Sequence, residues 1–266
     1  MMNTIRTEPA SHNAFFTTAA LLFAASAAVT IAWCMSMSAM DEMTMPGGWS
    51  MSMTWMRMPD QTWIDVAASF LGMWTVMMVA MMLPSLVPML GRYRVAVANP
   101  GQTRLALLTL RVATAYFLVW VALGLAAFAA GIAITQIEMH VAALSRMVPI
   151  AVGIVVSIAG AVQFTPWKMH HLACWRDTPE VRTLDADPAT AWRYGLRLGR
   201  RCAYGCANLT VALLVIGVMD LWAMALVTAA ITAERFAPDH RRAARVVGVI
   251  VIAIGLFLIA QALSIE

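Results

Sequence analysis

The sequence predicts an all-α fold, a polytopic membrane helix bundle of about six transmembrane helices. Three observations carry that reading. First, 61% of the 266 residues are hydrophobic and only 12% are charged, roughly half the charge fraction of a soluble domain. So few charges cannot coat a water-soluble globule of this size, whereas lipid accepts apolar side chains on the outside. Second, six stretches are apolar over the length of about 20 residues that a membrane-spanning helix needs. Third, no alternating strand pattern competes with them, and helices satisfy the backbone inside a bilayer.

The six expected spans follow in order. The first runs from about Ala14 to Cys34. It has Arg6 before it and a small-residue run, Ala24 to Ala28, inside it, which also fits a cleaved signal peptide. Its apolar run continues to Trp33, longer than a signal core, and favours a retained helix. The second span is Trp63 to Leu90, interrupted by Pro84 and Pro88; the third is Leu105 to Ile134. The fourth is Arg146 to Pro166, the fifth Ala203 to Ala233 and the sixth Val246 to Leu263. No internal repeat divides the chain, so residues 1–266 read as one transmembrane domain.

Positive charge sets the orientation. Arg92, Arg94 and Arg104 follow the second span. Lys168, Arg176, Arg182, Arg193, Arg197, Arg200 and Arg201 lie in the polar connection 167–201. Both connections are expected in the cytoplasm, with the N-terminus inside and residues 35–62 in the periplasm. That is the arrangement of a multi-pass protein of a bacterial inner membrane. The net charge of +4 is then the ordinary cytoplasmic arginine bias, with the lipid bilayer as partner and no nucleic acid. One conflict remains: Arg235, Arg241, Arg242 and Arg245 follow the fifth span, which six alternating crossings place outside. The fifth segment, about 31 residues long, has room for a broken or re-entrant path.

Methionine is the compositional outlier, with 22 residues against 9 Phe and 4 Tyr. Nine of them crowd into the 24 residues from Met35 to Met58, at Met35, Met37, Met40, Met43, Met45, Met51, Met53, Met56 and Met58. Thioethers are soft donors that suit Cu(I) and bind hard cations poorly. They also stay unprotonated in acid. A periplasmic loop of this kind suits copper collection; an interfacial loop dipping Met, Trp49 and Trp55 into headgroups is the alternative. In the second span Met73, Met77 and Met81 share a helix face, with Met78 and Met82 in the adjacent row. Helix packing is the competing explanation for those.

The four cysteines, Cys34, Cys174, Cys202 and Cys206, do not form the framework of a small disulfide-rich domain. His170, His171 and Cys174 fall within one helical turn, and Cys202 and Cys206 stand four apart. Two such pairs meeting across helices make a Cu(I) site, with zinc a second candidate; plain packing of small Cys residues is the alternative. Asp220 and Met224 stand four apart deep in the fifth span, beside Met219, and Glu234 closes it. An intramembrane carboxylate needs a cation, a proton or an Arg partner; a hydrogen bond from Asn208 or Thr228 is the plainer reading for Asp220.

The string MWTVMMVAMMLP, Met73 to Pro84, resembles the signature helix of the predicted metal-binding integral membrane proteins, an uncharacterised bacterial family. Three later pieces follow in the same order: Phe164-Thr165-Pro166-Trp167-Lys168, the string GVMDLWAM from Gly217 to Met224, and Glu234-Arg235. Where that family has Cys-Leu-x-His-Cys-Arg, this chain has His171-Leu172-Ala173-Cys174-Trp175-Arg176; where it has Gly-Cys-Cys-Trp, this chain has Gly205-Cys206-Ala207-Asn208. The resemblance implies a metal-binding membrane protein whose donors are partly rearranged.

The expected function is binding, transfer or homeostasis of copper as Cu(I), with a periplasmic or membrane metal-handling partner. The metal ligands expected are Met77, Met81, Met82, His171, Cys174, Cys202, Cys206, Met219, Asp220, Met224 and Glu234. No nucleotide-binding P-loop is present, so this chain does not drive transport with ATP. No catalytic residue stands out. Two alternatives stay open: the membrane subunit of a copper-dependent oxidoreductase, which only five His residues support weakly, and a metal-free assembly partner.

Overall fold

In the computed structural model, which describes residues 8–38, 43–44, 50–51, 61–97, 101–140, 142–176 and 184–265, the chain is built from helices. They are α1 (Glu8–Ser38), α2 (Trp63–Ala96), α3 (Gln102–His140), α4 (Ala142–Val162), α5 (Pro166–Arg176), α6 (Pro188–Gly217), α7 (Leu221–Phe236) and α8 (His240–Ile265). Two two-residue strands, Met43–Thr44 and Ser50–Met51, pair antiparallel within the expected methionine loop. The rest of that loop lies outside the described residues.

Among the described residues, four helices are long and apolar enough to cross a membrane: Asn13–Ser36 of α1, α2, α3 and His240–Ser264 of α8. Together, Met147–Val162 of α4 and Pro166–Leu172 of α5 would make a fifth, bent by 64°. Their outer faces carry many exposed large hydrophobics, including Leu21, Leu22, Leu110, Leu125, Ile158, Val249 and Phe257.

Helix α2 starts from a reciprocal cap. Thr62 Oγ accepts from the Asp65 amide at 3.3 Å, and Asp65 Oδ2 accepts from the Thr62 amide at 2.9 Å. Pro84 and Pro88 lie inside this helix without ending it. Nearby, Ser85 Oγ donates to the Met82 carbonyl at 3.0 Å, one way in which a hydroxyl serves backbone groups near a proline. The buried face of α2 holds Phe70, Met73, Trp74, Met77, Met78, Met81, Met82 and Leu86. Trp74 crosses to α3, donating its indole N–H to the Trp120 carbonyl at 2.8 Å.

Small residues bring the other helices close. On α6, a Cβ at Gly195 would strike the Val112 backbone of α3, and one at Gly199 would sit 2.9 Å from the Tyr116 carbonyl. Helices α4 and α8 meet along a reciprocal seam. Gly160 faces Gly248 and Gly153 faces Gly255, with any added Cβ only about 3 Å from the facing carbonyl. This pairing fixes α4 and α8 as antiparallel, so the end of α4 and the start of α8 lie together. Close backbone approach of this kind is how helices associate where no water drives them together.

The expected fifth span differs in the structure. It is not one helix: α6 ends at Gly217, whose φ of 144° no β-carbon residue adopts readily, and the chain restarts at α7. The two halves run in opposite directions. Glu234 and Arg235, at the end of α7, return to the level of Cys202 and Gly205 on α6. Asp220 therefore does not lie deep within a helix. It is exposed and serves as the N-cap of α7, accepting from the Ala223 amide at 2.9 Å. The polar connection 167–201 is also mostly helical: α5 fills its start, and α6 begins at Pro188 behind the Asp187 cap.

Candidate functional site

The buried polar atoms of the bundle gather where α2, α3, α5, α6 and α7 converge, beside the end of α4. Cys202 stands at the centre, fully buried on α6. Its Sγ receives the Tyr116 hydroxyl at 2.8 Å and an Arg235 guanidinium N–H at 2.9 Å. It faces Met82 Sδ across the interface with α2 at 3.8 Å. Cys206, one turn further along α6 and also buried, donates its thiol to the Cys202 carbonyl at 2.9 Å. Arg235 is held from a second direction by Ser85, whose Oγ accepts from Nη1 at 2.5 Å.

A second group adjoins this one. Lys168, on the first turn of α5, is wholly buried and pairs with Glu234 at 2.8 Å. Its ammonium also donates to the Gly205 carbonyl at 2.5 Å and to Asn208 Oδ1 at 3.4 Å. Glu234 accepts from Gln163 Nε2 at 2.6 Å, and Asn208 Nδ2 donates to the Ala159 carbonyl at 2.9 Å. Each ionised group thus has an opposite charge or several dipoles around it, the condition under which burial of a charge is tolerated. Lys168 can reach inward because Pro166 starts α5 immediately after the break at the end of α4.

The expected site residues therefore separate. Met77, Met81 and Met82 are all buried on the inner face of α2, and Met82 meets a cysteine sulfur, that of Cys202. Glu234 joins the buried network. His171 does not approach Cys206; it lies among rings, 4.6 Å from Trp167 and 5.5 Å from Tyr204 between centroids. The side chain of Cys174 lies outside the described residues. Met224 is buried and Met219 half-buried against the core, at the Asp220 end of α7. Cys34, at the last turns of α1, belongs to the same buried core. Among the described residues, no three His, Cys, Asp or Glu side chains are grouped as a metal site.

Sequence reasoning did not select Lys168, Arg235, Tyr116, Ser85 or Gln163. Lys168 and Arg235 were visible as members of two motif pieces, but counted as loop charges. Nothing in the sequence announces that they are inside, because the break at Gly217 that turns α7 back is what buries Arg235.

The cluster combines two thiols and a thioether with a fixed cation and a fixed ion pair. Its sulfur donors suit a soft monovalent metal; the Lys168–Glu234 pair is neutral, and Arg235 adds one positive charge beside Cys202. Comparison with curated proteins and with solved structures gave no match. A family model described as a copper chaperone, PpoB2, matches residues 71–258. That stretch runs from α2 into α8 and contains every residue of the buried cluster, and it ties the metal-binding resemblance to copper. The chain belongs to the PpoB2 copper-chaperone family.

Proposed function

We propose that this chain is a membrane-embedded chaperone that carries copper as Cu(I) on sulfur donors. The observation that carries this reading is the buried approach of Met82 Sδ to Cys202 Sγ at 3.8 Å. Two metal–sulfur bonds of about 2.3 Å, the length known for zinc thiolates, put sulfurs about 4 Å apart at a trigonal angle. The pair therefore already has the separation that one shared ion requires. Cys206 lies one turn on, along the same face of α6, and supplies a third sulfur. Such a set favours Cu(I) over zinc, which prefers four N and S donors in a tetrahedron.

The remaining soft donors suit a route. The methionine loop would collect Cu(I) outside, with Cys34, Met219, Asp220 and Met224 beside the far end of α7. The buried thioethers Met77, Met78 and Met81 would pass it along α2 to Met82 and Cys202. Ligand exchange between like donors moves the ion without ATP. Cys174 and His171, on α5, are the exit donors of this scheme, on the cytoplasmic side.

The test is copper stoichiometry of purified full-length protein loaded with Cu(I) under reducing conditions. Cys202→Ala and Met82→Leu should each lose the bound ion, while Cys34→Ala retains it. Equal copper in Cys202→Ala and the parent, both eluting as folded protein, would reject the site. Copper that cycles between oxidation states with oxygen would favour an oxidoreductase subunit, and no copper at all an assembly partner.

A further inference from the structure

A cavity of about 450 Å³ lies where the α4–α5 break meets the start of α8. Phe164, Pro166, Met169, His170, Arg241 and Arg245 line it. No carboxylate is among these described lining residues. Arg241 and Arg245 stand four apart on α8, so they share one face and converge on the opening. Arg242, between them, is turned elsewhere and pairs with Asp239 at 3.0 Å. The apolar part continues past the cavity: Phe164 and Trp167 are nearly half exposed, and α8 beyond Arg245 exposes Val246, Val249 and Ile250.

A cationic mouth beside a continuous apolar wall fits an amphipathic anion. Guanidinium groups grip phosphate oxygens in pairs, and basic pockets beside spanning helices take lipid headgroups. The volume is within the range of small-ligand pockets. A free phosphate would use the arginines but leave the wall without a role. We propose that this cavity binds the phosphate of an anionic phospholipid, with its acyl chain along Phe164 and the apolar face of α8. The proposal rests on the membrane reading given above and is independent of copper.

The test uses the full chain in nanodiscs of phosphatidylcholine carrying spin-labelled phosphatidylglycerol or, separately, spin-labelled phosphatidylcholine. The parent should immobilise the anionic probe in preference to the neutral one. Arg241→Gln and Arg245→Gln should each weaken that preference about tenfold, the loss of one charge-assisted hydrogen bond to the phosphate. Arg242→Gln removes the same charge from the same turn but not from the cavity, and should leave the preference intact. Equal loss in Arg242→Gln would reduce the effect to general surface charge and overturn the site. Arginine-dependent broadening of inorganic phosphate in ³¹P spectra, without preference for the anionic lipid, would overturn the lipid and assign the site to a free phosphate. Flotation with neutral vesicles separates the two failures: a chain that does not float refutes the membrane reading, whereas a floating chain without preference refutes only the lipid site.

Discussion

Lys168 and Glu234 form an ion pair inside the bundle. Both are buried, and each neutralises the other at 2.8 Å. Lys168→Met leaves Glu234 buried without its cation, and breaking a buried pair from one side costs about 3–5 kcal/mol. The double change Lys168→Met with Glu234→Leu removes both charges and should recover much of that loss. Thermal unfolding in detergent, followed by tryptophan fluorescence, measures the difference; equal stability of Lys168→Met and the parent would contradict the pairing. A titrating group at the surface gives a smaller effect with a definite sign. The Asp239 carboxyl is held below its ordinary value of 3.8, first by the Arg242 backbone amide and then by the Arg242 charge. A lowered folded value means that the carboxylate stabilises the start of α8 above that ordinary value. The contribution disappears as pH falls through the lower, folded value. The stability gap between the parent and Asp239→Ala should therefore be present at neutral pH and close in strong acid.

At the scale of elements, the glycine seam between α4 and α8 makes a clear prediction. Gly160→Leu or Gly255→Leu drives a side chain into the facing backbone, where overpacking costs about 1–3 kcal/mol or more. Gly72→Ala on α2 meets nothing within 4 Å and should be neutral or stabilising by up to about 1 kcal/mol, the helical gain of Ala over Gly. Unfolding midpoints of the three variants check this; a Gly255→Leu protein as stable as the parent would rule out the close approach. Four of the expected spans were legible in the sequence as helices, though not their ends. The apolar runs for α1, α2, α3 and α8 lie within the observed helices, because an apolar stretch of that length has few other ways to satisfy its backbone. The turn after α6 was not legible. The string from Ala203 to Ala233 is apolar apart from Asn208, Asp220 and three threonines, and hydropathy does not register that Gly217 and the Asp220 cap reverse its direction.

That reversal decides the topology of the whole molecule. If α6 and α7 are antiparallel legs, α7 of about 24 Å by its 16 residues, then α7 brings the chain back to the side where α4 ends. Arg235, Arg241, Arg242 and Arg245 then join the other arginine-rich connections on the cytoplasmic side, and the charge conflict of six alternating spans disappears. With the N-terminus inside, the expected outcome is a C-terminus on the periplasmic side. A phosphatase fusion at the C-terminus, active only in the periplasm, should be active; a cytoplasmic reporter there should be silent. The opposite pattern would mean that α6 and α7 make a single crossing.

By itself, the sequence determined that the chain is helical, that it is rich in apolar and poor in charged residues, and that soft sulfur donors concentrate in one loop and one helix. Those properties are local: each depends on composition and spacing along a single stretch. It also singled out four members of the buried cluster, Met82, Cys202, Cys206 and Glu234. Only the tertiary structure decided which of them meet. Met82 and Cys202 are 120 residues apart, and their approach depends on glycines that let α6 lie against α3. Arg235 and Lys168 looked like solvated charges until a helical hairpin and a break at Pro166 carried them inward. A buried charge is set by what folds around it, and no window of sequence contains that.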